Sequence, residues 1–510
     1  MKMEKLKVLS TDEIELIHSA SMELLSTVGI KIDAPDVREL LQEKGAINND
    51  NTKFVKFPEN FIEEQIKKVP SSFKLHGPDG SFNFEVNTHD TIFATIGTPI
   101  KIYDPEKKSG IRKSLLDDTI KQIRVVDSLK NIVCSHVDVW PGDIQFTTIH
   151  ARCIYEWAKN TKKPYGLGVY GKLASTDMMN MVSIVVGGND ELINRPRLVG
   201  FFNPTSPLHL PQIMTNGLQI FAKYKQPTII APEALAGSSA PVTLAGLLAQ
   251  TNAEILGGVI LAQIINPGAP IFYGTVSHIT DMRSGNSAIG SIETGLITAG
   301  IAQLARFYNI PSRGPGLVTD SKCFDLQNGF ERFQTLLLAA QAGINYITCA
   351  GTYEATLVEA LELLVIDDEL AGMVKRAIEG ITVNEDTIGL ETIKKVATNE
   401  KPGATFLAEK HTRKHMKQEL YMPIHKLINR NRRSTWRKKG SKDIIASARE
   451  KVEEILRDYN PPELSQDIDS ELQEYIKKVE ERTINDYMKA EGMTSGSVSL
   501  PGTDISIKET

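Results

Sequence analysis

Aromatic side chains are scarce in this chain: 6% of 510 residues, with 3 Trp, 13 Tyr and 17 Phe. Cysteine is scarcer. Only Cys134, Cys153, Cys323 and Cys349 carry thiols, and none sits in a C-x-x-C pair, which argues against a disulfide framework or a local zinc knuckle and fits a reducing compartment. Neither sign of charge dominates: a net charge of -5 and a pI near 6.1 give no general attraction to nucleic acid or to an anionic membrane. The most apolar stretch, ILGGVILAQIINPGAPIFYG, is broken by Gln263, Asn266 and Pro267. It falls short of the roughly 20 apolar residues that a bilayer requires, so no membrane span is expected. The opening MKMEKLKVLSTDEIELIHSASMELL lacks the apolar stretch and small-residue cleavage site of a secretory signal, and the expected location is cytoplasmic. H-E-x-x-H, P-loop and G-x-S-x-G motifs are also missing.

What is present is an ordinary globular composition, 41% apolar and 24% charged, which excludes disordered and collagen-like classes. Ser10 and Glu13 form a capping box ahead of Ile14, Ile17, Leu24, Leu25 and Val28, so the chain opens on an amphipathic helix. Beyond this preface a different rhythm sets in. Short apolar or β-branched runs recur, each followed by a longer helical pattern: TIFATIG near 91, NIVCSHVDV near 131, PYGLGVYG at 164, RLVGFFN at 197, PTIIAPE at 227, PIFYGTV at 270, PSRGPGLV at 311 and NYITCAG at 345. Such spacing is that of serial βα units, and a closed barrel leaves no edge strand to protect. The fold expected is α/β, a (β/α)8 TIM-type barrel with an N-terminal helical preface and a C-terminal helical extension; a doubly wound open sheet is the lesser alternative. The expected divisions are 1–90, helical or mixed; 91–380, the barrel; and 381–510, helical and charged.

Three patterns invite other chemistry. GLGVYG, Gly166 to Gly171, has dinucleotide-binding spacing, but its glycines lie within the strand and not in a turn after it. His136 and Asp138 share one face of a strand and suggest a metal, although a third ligand is missing; His150 and Cys153, one helical turn apart, suggest it less. The basic run from Lys426 to Lys442 suits a solvated helix face or a protein partner.

A (β/α)8 barrel keeps its reactive groups where strands end, so the residues following each run are the ones to read. They include Asp138 and Trp140; Tyr165 and Tyr170; Phe201, Phe202 and Asn203; Glu233; Tyr273 and His278; Arg313, Asp320, Lys322 and Phe324; and Cys349, Tyr353 and Glu354. In so aromatic-poor a chain, rings at these ends fit a cage for a quaternary ammonium group, or else packing under the helices. Gly314 and Gly316 let a ligand or a neighbouring element approach the seventh strand end closely.

Several longer segments are similar to one family. DMRSGNSAIGSIETG (281–295), SSAPVTLAGLLAQTNAEILGGVILAQ (238–263), LVTDSKCFDLQNGFE (317–331), GTYEATLVEALELLVIDDELAGMVKRAIEGI (351–381) and FLAEKHTRKHMKQELYMP (406–423) resemble the corrinoid-dependent trimethylamine methyltransferase family. The resemblance extends over nearly the whole chain. It implies a (β/α)8 barrel, a homo-oligomer, and the transfer of a methyl group to the Co(I) of a corrinoid (cobalamin) supplied by a separate protein. No D-x-H-x-x-G cobalamin motif occurs in this chain, and no bound metal is expected. All residues are of the twenty standard types, so the likeness is to the branch without pyrrolysine, which acts on quaternary amines such as glycine betaine; the sequence does not choose among glycine betaine, proline betaine and carnitine. Tyr165, Tyr170, Phe202, Glu233, Tyr273, His278, Arg313, Asp320, Lys322, Phe324 and Tyr353 are the candidate substrate-binding residues, with Arg313 or Lys322 for a substrate carboxylate and Glu233 for selection. The competing readings are a metal-dependent barrel lyase or hydrolase and a non-catalytic quaternary-amine binding protein.

Overall fold

The computed structural model describes residues 4–137, 139–399 and 403–493. All eight apolar runs form strands of one parallel sheet: β1 Ile92–Phe93, β2 Ser135–His136, β3 Tyr165–Gly168, β4 Leu198–Phe202, β5 Thr228–Ile230, β6 Ile271–Gly274, β7 Ser312–Pro315 and β8 Tyr346–Thr348. Each is followed by a helix: α1 Leu116–Ser128, α2 Ile149–Asn160, α3 Gly171–Val186, α4 Gln212–Lys223, α5 Leu244–Ile265, α6 Ile292–Phe307, α7 Leu326–Ala342 and α8 Leu361–Glu379. The strands lie in the order β1-β8-β7-β6-β5-β4-β3-β2. At the ends of that order Phe93 bridges Ile132 in parallel, Val133 N–H donates to the Phe93 carbonyl (2.9 Å) and Thr95 N–H to the Cys134 carbonyl (3.2 Å), so the sheet curls until its first strands meet.

Both faces of the curled sheet are buried, by different partners. Inside, Ala94, Cys134, Val199, Ile229, Ala231, Phe272 and Tyr346 pack together, joined by Leu75, Val86 and Phe73 from the hairpin Ser72–His76/Asn83–Asn87. Phe73 meets Phe272 edge-on at 5.1 Å, so the hairpin closes one end of the interior. Outside, Tyr165, Leu167, Phe202, Ile230 and Tyr273 enter the larger core beneath the helices. Helix α5 is the one element among the described residues long and apolar enough to span a bilayer, with a mean hydropathy of 1.4 over its best window. It begins well before the run first singled out and ends at Ile265, with Asn266 as its C-cap, and 78% of that window is buried inside the protein. Its all-round apolarity follows from packing between α4, α6 and the N-terminal helices Thr11–Glu23 and Glu59–Ile66.

The preface is mixed and not purely helical. The predicted capping box is present, Ser10 accepting from Glu13 N–H (3.3 Å) and Glu13 from Ser10 N–H (2.7 Å). Strands Ile30–Ile32, Ile47–Asn49 and Phe54–Lys56 then form a small sheet with His209–Leu210. Past residue 380 the described elements are helices, among them Arg433–Lys438, Ile444–Asp458, Gln466–Glu480 and Ile484–Ala490. The Gln466–Glu480 helix sends Leu472, Ile476 and Val479 into the main core. It is clasped by Asp177 of α3, whose carboxylate accepts from Tyr475 Oη (2.9 Å), from Arg482 and from His150 Nε2 (3.0 Å). His150 is therefore committed to this clasp. Cys153 is fully buried, its thiol pushed up to about 12 by burial.

Candidate functional site

Two glycines shape the interior at the carboxyl end of β3. A Cβ on Gly166 would overlap Nδ1 of His136, and one on Gly168 would overlap the ring of Tyr170. The GLGVYG glycines thus hollow out the inner face of the strand for two rings, which explains a nucleotide-like spacing in a place where no phosphate loop exists. His136 is buried, takes Thr95 Oγ1 as acceptor for its backbone N–H (2.8 Å), and places Nε2 2.9 Å from Tyr346 Oη. Burial, reinforced by the charge of Arg313, pushes its pKa down to about 3, so it is neutral at physiological pH.

Arg313, on β7, is the charge at the centre. It is fully buried and donates from Nη1 to the Thr275 carbonyl (2.5 Å) and from Nη2 to Thr348 Oγ1 (2.6 Å), with Cys349 Sγ at 3.9 Å. The ring of Phe201 lies 5.2 Å from its guanidinium carbon. Its Nε has no hydrogen-bond acceptor, and no carboxylate comes within ion-pair distance of it among the described residues. Burial draws its pKa below the usual range. Glu233, just beyond β5, lies near enough to feel that charge without bonding to it. Its side chain reaches solvent, yet surrounding protein raises its pKa, and the Arg313 charge offsets this only in part. The two ionisable groups therefore lie near each other without forming an ion pair. At the carboxyl rim of the sheet, after β2 and β3, Tyr170 meets Trp140 edge-on at 5.7 Å and Trp140 meets Phe146 at 6.0 Å.

The other predicted residues are spread more widely. Tyr165, Phe202 and Tyr273 belong to the outer face, a correction that parity explains: Tyr165 stacks on Trp157 of α2 (6.5 Å), and Tyr273 Oη donates to Asn252 of α5 (2.6 Å). Their inward neighbours are Gly166, Phe201 and Phe272. His278 is buried in a small loop sheet, its ring nitrogens held by the Val276 carbonyl (2.7 Å) and Ser287 Oγ (2.6 Å). Asp320 accepts from Gly290 N–H (2.9 Å), while burial and then Glu331 raise its pKa. Lys322 is exposed and donates to the Asp320 carbonyl (2.6 Å), not to its carboxylate. Phe324 packs on Tyr103 (4.6 Å) and Tyr353 (5.4 Å), away from Arg313. Gly314 and Gly316 admit Thr298 and Ile347, neighbouring elements and not a ligand. Asp138 lies outside the described residues. Among the described residues no three His, Cys, Asp or Glu side chains gather as a metal-ligand group. Sequence reading passed over Tyr346, Thr275 and Thr348, whose hydroxyl and carbonyl groups carry no motif of their own.

Eight parallel strands, each followed by a helix, make an α/β fold of the kind in which enzymes keep their sites at the carboxyl ends of the strands. A family model described as trimethylamine methyltransferase matches residues 1–483, and the chain belongs to that family of methyltransferases. Among its relatives are the glycine betaine methyltransferase of Desulfitobacterium hafniense, 35% identical and covering 92% of this chain and 97% of that one; the trimethylamine methyltransferase of the same species, 32% identical over 92% and 94%; and that of Methanosarcina barkeri, 33% identical over 93% and 96%. The solved monomethylamine methyltransferase of Methanosarcina barkeri is similar to 89% of this chain at 14% identity, with a TM-score of 0.40, too loose a match to carry an argument.

Proposed function

We propose that the protein moves a methyl group from a small betaine-type quaternary amine to the Co(I) of a corrinoid held by a separate carrier protein. The observation that carries this reading is a buried Arg313 with no carboxylate partner among the described residues and a free Nε, close to Glu233 but not bonded to it. Such a guanidinium suits an anion, and the neighbouring carboxylate suits a cation. A molecule bearing both charges answers both. The relationship to a named glycine betaine methyltransferase supports the same choice.

The reaction needs little from the protein's acids and bases. A quaternary nitrogen already carries its positive charge, so the amine departs neutral when its methyl group leaves, and no proton has to be delivered. A reduced corrinoid supplies the nucleophile. The chain's own part is to seat the carboxylate on Arg313, to hold the ammonium near Glu233 and the rim aromatics, and to aim one methyl group outward. Each ring contact adds roughly 0.5–2 kcal/mol depending on desolvation. A tighter grip on the cation would slow the step, because the positive charge disappears as the methyl leaves. Solvent access to Glu233 lets a group carried on another macromolecule come within reach, and the loops after β5 and β6, with the start of α7, present exposed Val242, Met282, Leu326 and Phe330 to whatever docks there.

With this reading go the description of the curled sheet as a (β/α)8 barrel, the division into residues 1–90, 91–380 and 381–510, a cytoplasmic setting and a homo-oligomeric assembly. The test is a panel of quaternary amines incubated with the protein and reduced cobalamin, free or on a corrinoid protein, following consumption of Co(I). Turnover of a betaine is expected; binding of betaines without turnover would make the protein a binder, and turnover abolished by chelators would favour a metal enzyme.

A further inference from the structure

The family model ends at residue 483, but the described chain continues into the strand-end site. The turn Val169–Gly171 that connects β3 to α3 carries the Tyr170 ring of the rim. It is held from three sides. Tyr170 folds over Gly168; Gly171 has φ +86 and donates its N–H to the Val169 carbonyl at 2.8 Å; and Gly217 of α4 has no side chain, so that the Val169 carbonyl fits against it. Val169 N–H also donates to the Phe201 carbonyl at 3.1 Å, and a further support is Glu491. Its carboxylate accepts from Lys172 N–H (2.6 Å), Leu173 N–H (3.3 Å) and Asn216 Nδ2 (2.8 Å), and a Cβ on Gly171 would stand 2.5 Å from Oε1. Gln212 Nε2 fastens the Glu491 carbonyl at 2.5 Å. Glu491 is 6% exposed, although it follows a helix with no buried residue. A carboxylate from the far end of the chain thus satisfies the first free N–H groups of α3.

We infer that Glu491 is a positioning residue: by capping α3 it fixes the turn at Gly171, and through that turn sets Tyr170 against Trp140 at the carboxyl end of β3, where the proposed substrate site lies. The inference rests on the functional reading above for its kinetic consequence, but not for its structural one. Gly171 takes its positive φ without penalty but has no side chain to hold it there, so the turn depends on its neighbours, and Glu491 is the neighbour contributed from outside the βα repeats.

Glu491→Ala and Glu491→Gln in the full-length chain provide the test. Glu491→Ala is expected to shift and broaden the emission of Trp140, identified as the component missing from the corresponding Trp140→Phe pair, and to raise KM for the amine about tenfold while kcat stays within about twofold. Glu491→Gln keeps an acceptor oxygen and should restore most of both. A changed emission with no turnover of any amine in the wild type would retain the positioning role and sink the functional reading. Unchanged Trp140 emission and unchanged KM in Glu491→Ala, with only a lowered melting temperature, would overturn the positioning role and leave Glu491 a simple clamp.

Discussion

Arg313 and Glu233 make separable predictions because they face opposite ends of the proposed substrate. Arg313→Gln should raise KM for carboxylated quaternary amines by an amount equivalent to about 1.5–3 kcal/mol, the worth of a charge-assisted hydrogen bond, and leave choline-like amines nearly unaffected. Glu233→Gln should weaken both kinds together. Steady-state kinetics on a matched pair of donors decides; equal effects of Arg313→Gln on both donors would remove the guanidinium from the carboxylate's place. His136 makes a prediction about pH. Its folded pKa, about 3, lies below the 6.5 of an ordinary histidine, so between those values the unfolded chain binds a proton that the folded chain refuses. Stability from this residue is full above that window and falls with acidification by up to about 1.4 kcal/mol per pH unit. His136→Gln should flatten the decline in melting temperature between pH 6.5 and 4 relative to the wild type, read by calorimetry; an unchanged slope would place the acid sensitivity elsewhere.

At the scale of the element, the eight strands were legible because runs of apolar residues recurred ahead of helical patterns, and each of those runs is a strand. Which residue of each strand looks inward was not legible. In a curled parallel sheet the interior and the helix layer are both apolar, so the alternation that marks the wet face of an antiparallel sheet is absent. Phe201 and Phe202 show the ambiguity: neither composition nor neighbours distinguish them, yet one lies against Arg313 and the other under the helices. Phe202→Ala should cost about 3–5 kcal/mol of stability. Phe201→Ala should chiefly raise KM, and melting curves with kinetics on the pair check the assigned parity. The inward glycines did carry a signal, since a strand tolerates glycine at i and i+2 only where something fills the space. Gly166→Ala, whose Cβ would overlap the His136 ring, should lower both stability and activity.

At the scale of the whole molecule, the C-terminal arm was the least legible part. Its sequence reads as charged surface helix, and nothing local reveals that Tyr475 and Arg482 seek Asp177 or that Glu491 seeks α3; those contacts join residues about 300 positions apart. The charged side chains of the basic run from Lys426 to Lys442 are exposed, centred on the helix Arg433–Lys438, although Leu427 is buried and Lys442 pairs with Glu450; the run is proposed to meet an acidic carrier. Reversing its charges should slow methyl transfer to the corrinoid protein, more at low salt, and leave transfer to free cobalamin unchanged. Equal rates with the carrier would dismiss the run as a docking face. The central claim is that one site binds both charges of a betaine and presents its methyl group to cobalt. Its most direct test is single-turnover reaction of the protein with a betaine and excess reduced corrinoid protein, measuring Co(I) consumed and tertiary amine formed. One equivalent of each per methyl group transferred, lost in Arg313→Gln, is the result predicted; tight betaine binding with no amine released would contradict it.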